Sequence, residues 1–402
     1  MIVRTMIVVL SCVFLQSAAR GDTFALEDGE GVYSPQRGHG FDLGSKPVMA
    51  KGFVTAKEPF YFSVAAAEGN WRITVTLGGD GASDTTVKAE SRRLMLESVR
   101  VSPGQVVQRS FVVNVRRPDL PDGGRVRLKA RERDYLHWDD KLTLEFSGPH
   151  PAVRTVEVSP APPETITVYL AGDSTVTDQS SEPYNSWGQM LPRFFKPTVA
   201  VANHAESGES LKSFSGAKRI DKILSTIKAG DYLFVQFGHN DQKDKTPGAG
   251  AFTTYADSLR KYVAEARRRG ATPVLITPVS RRSFGPDGKI VNNLGDFPEA
   301  VRRVAAEEKV PLIDLNAMSH RFYQAMGPEE SKRAFAPGDN THHDNYGSYE
   351  LAKCVVEGIR QAKLGLANEL AEDVGSFDPA RPDPIDRFDV PASPMKKANR
   401  PE

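Results

Sequence analysis

The sequence predicts an all-β domain followed by an α/β domain whose parallel sheet is covered by helices on both faces. Three observations carry this. Between about residues 22 and 160, short alternating apolar runs are separated by Gly-, Pro- and Asp-rich turns, without long helical periodicity. From about residue 165, strand-like runs alternate with helix-like ones, the rhythm of βα units. Between the two regions stands Ser159-Pro160-Ala161-Pro162-Pro163, a linker by composition.

The N-terminus reads as a secretory signal over residues 1–21. Arg4 supplies the positive start, residues 6–15 a short apolar core, and Ser17-Ala18-Ala19 or Ala19-Arg20-Gly21 a small-residue cleavage site. The core is too short for a membrane anchor. Cys12, after Val9-Leu10-Ser11, gives only a faint lipoprotein box, so secretion or periplasmic release is expected ahead of lipid anchoring. Cleavage would leave Cys354 as the sole cysteine, so no internal disulfide is expected, and this thiol reads as a small buried apolar group.

In the first region, residues 60–64, 71–77, 107–115, 125–129, 141–146 and 153–158 read as strands of a β-sandwich. Gly78-Gly79-Asp80-Gly81 and residues 118–124 read as turns, and Gly148-Pro149 with Pro151 as a break. In the second region, residues 165–370, strands are expected at 165–170, 199–202, 232–237, 273–277 and 311–314. Helices are expected at 217–228, 253–269, 298–308 and 346–363. Residues 371–402, rich in Pro and Asp, read as an extended tail lying back along the surface. Among 402 residues, 52 Lys and Arg nearly balance 51 Asp and Glu, which argues against a nucleic-acid groove. Past the leader no apolar run could span a bilayer.

Four short segments follow strands or precede a helix: Gly172-Asp173-Ser174, Ser207-Gly208-Glu209-Ser210, Gly238-His239-Asn240-Asp241 and Asp339-Asn340-Thr341-His342. A parallel sheet brings the carboxyl ends of its strands to one rim, where these loops would share a cleft. Acyl transfer fits them. A serine hydroxyl needs a base, which His342 would supply, and Asp339 would hold the other ring nitrogen. The backbone N–H groups of Ser174 and Gly208 and the Asn240 amide would receive the oxyanion. Singly, each residue has a plainer reading: Ser174 and Asp339 as helix caps, Gly208 as a turn glycine, Asn240 and Asp241 as a strand end. All four plain readings holding together at ordered positions is the less economical account. His342 and His343 are adjacent, so their side chains diverge. No second His/Asp cluster has ligand spacing, and no metal or other cofactor is expected.

In this order the segments resemble the SGNH or GDSL hydrolases, named for residues that match Ser174, Gly208, Asn240 and His342, with Asp339 completing the DxxH pair. Tyr169-Leu170-Ala171-Gly172-Asp173-Ser174-Thr175, Ser186-Trp187-Gly188-Gln189, Ala205-Glu206-Ser207-Gly208-Glu209-Ser210 and Gln236-Phe237-Gly238-His239-Asn240-Asp241 are similar to bacterial rhamnogalacturonan acetylesterases. The resemblance implies a flavodoxin-like three-layer α/β/α domain preceded by a galactose-binding-like sandwich. It also implies removal of acetyl groups from the backbone sugars of a pectic polysaccharide, rhamnogalacturonan, with the acetylated polysaccharide or oligosaccharide as the expected partner. Deacetylation of xylan or sialic acid, a small-ester lipase, and an idle carbohydrate-binding protein are the alternatives. Around the cleft, Trp187 and Tyr184 read equally as a sugar platform or as core. His239 reads as a structural or pocket-lining group, His343 as a solvated or substrate-side neighbour, and Asp173 as the brace of the serine loop. Arg281 and Arg282, after the fourth strand, read as ligands for substrate carboxylates. Oligomeric state is not legible.

Overall fold

A computed structural model describes residues 21–397. Apart from Gly21, the predicted leader lies outside the described residues. The first region is two antiparallel sheets. One has the order Val48–Ala50, Phe53–Thr55, Val153–Pro160, Gly69–Leu77, Val107–Val115, with Asp22–Ala25 also pairing Val153–Pro160. The other has the order His39–Asp42, Phe60–Ala65, Lys141–His150, Ser83–Ala89, Arg93–Val101. Alternate residues of both, such as Val75, Val113 and Val156 with Phe62, Leu144 and Phe146, share one core.

Two expectations fail here. Residues 125–129 form no strand. Arg125 makes one bridge to Asp119, the Arg127 amide turns to the Ala217 carbonyl at 2.9 Å, and a 3₁₀ turn follows at Ala130–Asp134. Their alternation records docking onto the second region, not sheet pairing. Gly148-Pro149 does not end its strand either; it forms an irregularity between Ser147 and His150.

The second region is a five-stranded parallel sheet. Its strands are β1 (Ile166–Gly172), β2 (Val199–Asn203), β3 (Tyr232–Gln236), β4 (Thr272–Ile276) and β5 (Leu312–Ile313), in the order β2-β1-β3-β4-β5. That is the flavodoxin-like order, whose direction reverses between β1 and β3. The period-2 side-chain alternation sorts residues to two buried faces. Val168, Leu170, Phe234, Val274 and Ile313 meet α1 (Trp187–Met190), α6 (Leu315–Glu330) and α7 (Asn345–Gln361). Tyr169, Ala171, Leu233, Val235 and Leu275 meet α2 (Leu211–Gly216), α3 (Arg219–Thr226), α4 (Ala256–Arg268) and α5 (Phe297–Glu307). Cys354 is buried in the first of these cores. The helix expected over residues 253–269 is regular only from Ala256, because Thr253 adopts φ −114° and ψ −108°.

The two regions are joined by ion pairs, buried on both sides in two of the three that follow. Arg93 Nε lies 3.0 Å from Asp178 Oδ2, Lys222 Nζ 2.6 Å from Glu68 Oε1, and Arg219 pairs with Glu132. The tail crosses both regions. Asp373 pairs with Arg193 at 2.8 Å and Asp383 with Lys353 at 2.6 Å, and Ser393 Oγ takes a 2.7 Å hydrogen bond from Lys88 of the sandwich.

Candidate active site

β1 runs into the serine loop at Gly172. Asp173 Oδ1 accepts the Thr175 amide at 3.0 Å and the Thr175 hydroxyl at 2.8 Å, while its carbonyl accepts Val176 and Thr177 N–H at 3.1 Å. The chain therefore turns once around Asp173 and presents Ser174. Burial opposes charge on Asp173, yet His239 and Thr175 outweigh it and hold this carboxyl below its ordinary range.

His342 reaches the serine from a loop held at both ends. The loop's Ala336 amide donates to the His342 carbonyl at 3.0 Å. Beyond it, Asp344 caps α7 by accepting Gly347 N–H at 2.8 Å. A Cβ on Gly347 would sit 1.9 Å from the Ala334 carbonyl, so glycine alone lets α7 start this close.

His342 Nε2 then lies 2.9 Å from Ser174 Oγ, and Nδ1 lies 2.8 Å from Asp339 Oδ2. An ionised carboxylate only accepts, so Nδ1 carries the proton and Nε2 is free to accept from the serine hydroxyl. Partial burial raises the Asp339 carboxyl, but the hydrogen bonds from His342 and the Thr341 and His342 amides hold it below the ordinary value.

Gly208 has φ +82°, where glycine is favoured. Asn240 Oδ1 accepts from Lys243 at 2.8 Å, and its Nδ2 spends one hydrogen on the Glu209 carbonyl at 3.0 Å. An amide nitrogen has a second hydrogen to offer. The arrangement holds an activated hydroxyl, a base oriented by a carboxylate, and an amide donor, the parts acyl transfer requires.

Six residues around the cleft take more definite places than the sequence alone assigns. Trp187 is no sugar platform. It is fully buried, and its Nε1 donates to Gln236 Oε1 at 2.8 Å, while Gln236 Nε2 donates to Thr175 Oγ1 at 2.6 Å. It therefore supports the serine loop from beneath. Trp187→Ala is expected to cost about 3–5 kcal/mol of stability, read by denaturant unfolding; a loss under about 1 kcal/mol would refute this supporting role.

His343 is not solvated. It is buried, stacked on Tyr323, and its Nε2 lies 2.7 Å from the Tyr323 hydroxyl. Burial first, then the nearby His342 and His239, holds its imidazole down at about 3. The unfolded imidazole protonates near 6.5, so the stability His343 contributes is complete above about that pH and is lost as pH falls toward the folded value. Between about pH 6 and pH 4, His343→Gln should flatten the acid loss of stability by about 1 kcal/mol per pH unit. Parallel urea-unfolding curves for variant and wild type would contradict this.

Arg282 is not aimed at substrate. Its amide donates to the Asn340 carbonyl at 2.7 Å, its Nη1 to Pro328 at 3.1 Å, and its guanidinium lies over Phe335, so it braces the His342 loop. Arg281 stays half-exposed beside Asn293, in the field of Asp173. His239 is buried with Nδ1 3.3 Å from Asp173 Oδ2, and acts on the serine loop through that contact.

Tyr184 is the open aromatic. It is 40% exposed, and its ring stands edge-on to His342 with 6.0 Å between centroids. Nothing in the sequence marks Gln236 as a support of the serine loop, although it stands in the Gln236-Phe237-Gly238 run, and nothing marks Lys129 and Arg131, whose contacts with this loop cluster come from the other region. Among the described residues no group of three or more His, Cys, Asp or Glu side chains could hold a metal ion, and no helix is long and apolar enough to cross a membrane.

A parallel sheet with a Ser-His-Asp hydrogen-bonded chain at its reversal point defines a class of serine hydrolases. This chain belongs to the GDSL-like lipase/acylhydrolase family, whose pattern matches residues 170–348, and it is a carboxylic ester hydrolase. Over 225 residues it is 42% identical to the rhamnogalacturonan acetylesterase RhgT of Bacillus subtilis (strain 168), spanning 52% of this chain and 96% of that protein. Over 213 residues it is 38% identical to "Probable rhamnogalacturonan acetylesterase YesY" of the same organism, spanning 51% of this chain and 98% of that protein. The crystal structure of Bacillus subtilis YxiM is 23% identical, covering 83% of this chain and 93% of that one, with a TM-score of 0.49.

Proposed function

We propose that this chain is a secreted serine esterase that removes acetyl groups from pectic polysaccharide of the rhamnogalacturonan type. The observation that carries the esterase mechanism is the unbroken run of hydrogen bonds at 2.9 and 2.8 Å from Ser174 through His342 to Asp339. The relatives' substrate supports the choice of polymer. Ser174 Oγ attacks the acetyl carbonyl while His342 Nε2 takes its proton. The oxyanion is received by the Ser174 and Gly208 N–H groups and the Asn240 amide. His342 then gives its proton to the departing sugar oxygen. Water, deprotonated by the same imidazole, releases acetate from the acetyl-enzyme. The sandwich is read as a galactose-binding-like module, and residues 1–21 as the export signal. Acetate release from a panel of acetylated polysaccharides tests the substrate. Rhamnogalacturonan should lead the panel, and preference for acetylxylan would reject the pectic reading.

Tyr184 offers an apolar face beside the base, suited to the C–H surface of the sugar that leaves. Arg281 is the cation left to meet a uronate carboxylate. Arg281→Ala should raise KM for the polymer about tenfold, the value of one charge-assisted hydrogen bond, while KM for p-nitrophenyl acetate stays within about twofold. Equal changes on both substrates would reject that role.

A further inference from the structure

The loop that carries Gly208 is held by the other region. Lys129 and Arg131 both belong to the sandwich, in and just before the 3₁₀ turn Ala130–Asp134. Lys129 Nζ donates to the Ser207 carbonyl and pairs with Glu209 Oε1 at 2.8 Å. Arg131 Nη2 donates to the same carbonyl at 2.7 Å, and its Nε donates to Glu206 Oε1 at 2.9 Å. Glu206 and Glu209 are buried, and a Cβ at Gly208 would lie 3.6 Å from Lys129 Nζ. The turn is itself anchored, because Glu132 pairs with the buried Arg219 of α3.

The Ser207 carbonyl and the Gly208 N–H are two ends of one peptide unit. That unit is planar and trans, so its oxygen and its amide hydrogen point in opposite directions. Two cations that hold the oxygen toward the sandwich therefore fix the amide hydrogen on the other side. Hydrogen bonds accepted by a carbonyl also polarise its peptide and strengthen the N–H as a donor. The grip thus acts on both the direction and the strength of this one amide.

We propose that Lys129 and Arg131 are positioning residues for acyl transfer: through the Ser207 carbonyl they aim and polarise the Gly208 N–H, which makes the sandwich an integral half of the active site. This rests on the reading above, in which Gly208 N–H receives the oxyanion. Neither side chain touches the reacting atoms.

The test uses the full chain and p-nitrophenyl acetate. Lys129→Met and Arg131→Met should each lower kcat about 10- to 100-fold, the scale of a misdirected donor, with KM within about twofold of wild type. Affinity for phenylboronic acid, which forms a tetrahedral adduct on an active serine, should weaken in the same proportion as kcat. Lys129→Gln and Arg131→Lys keep a donor for the carbonyl, and should recover most of the loss and fold even where the methionine variants do not. Arg125→Ala, on the same segment but facing Asp119, should leave kcat unchanged. Ser174-dependent activity with unchanged kcat in the methionine variants, or a boronate affinity that does not follow kcat, would overturn the proposal alone. Wild-type turnover by Ser174→Ala would overturn the esterase reading and this proposal with it.

Discussion

Ser174→Ala is expected to lower kcat for p-nitrophenyl acetate by roughly 10⁴-fold or more, the scale seen when a nucleophile of this kind is removed. The geometry explains the size. Among the described residues Ser174 Oγ is the only side-chain oxygen within hydrogen-bond reach of His342 Nε2, so none of them offers a neighbouring hydroxyl to replace it. His342→Ala should cost about as much, and the double variant little more than either, because serine and imidazole act as one unit. Additive losses would show two independent contributions and would break the proposed mechanism. Folding should survive, since Ser174 anchors the loop through backbone groups, such as its carbonyl bound to Gln179 at 2.8 Å.

Asp339→Asn is expected to lower kcat by roughly 10⁴-fold while leaving the loop in place. The native carboxylate does two things. Oδ1 accepts the Thr341 and His342 amides at 2.7 and 3.1 Å, and Oδ2 faces His342 Nδ1. An asparagine oxygen can still accept both amides. Its NH₂ would then face Nδ1 and donate to it, which moves the ring proton to Nε2. In that tautomer Nε2 has no lone pair for the serine. The expected signature is a large fall in kcat with unfolding midpoint and KM close to wild type. A loss confined to KM would mean that Asp339 binds substrate and does not orient the base.

Much of this site is legible in the sequence alone. The alternation in β1 placed Val168 and Leu170 on one face and Tyr169 and Ala171 on the other, the mark of a strand covered on both sides. The contact of Ser174, His342 and Asp339 was legible because each chemical role restricts the residue type and each loop adjoins a regular element. The strands Ser83–Ala89 and Arg93–Val101 were not legible. Lys88 and Arg93 occupy buried positions there, Lys88 donating to Ser393 and Arg93 ion-paired with Asp178, both partners lying far along the chain. Helix α6 could have been found: Asp314 caps it, and Leu315, Met318 and Phe322 recur on its buried side. Gly327 and Pro328 obscured its end. Trp187 and Arg282 show the limit of placing residues by loop position alone. Both adjoin the cleft in sequence, but their side chains turn to Gln236 and to Pro328. The role of Lys129 has no local signature, because its partners lie at residues 207 and 209 of the other region.

The proposed reaction requires that Ser174 become acylated. Treatment of the full chain with a fluorophosphonate, followed by peptide mapping by mass spectrometry, tests it most directly. One phosphonate is expected, on the peptide bearing Ser174, with acetate release lost in proportion to labelling and no label on Ser174→Ala. A label on another residue that abolishes activity, or full activity with Ser174 modified, would contradict it.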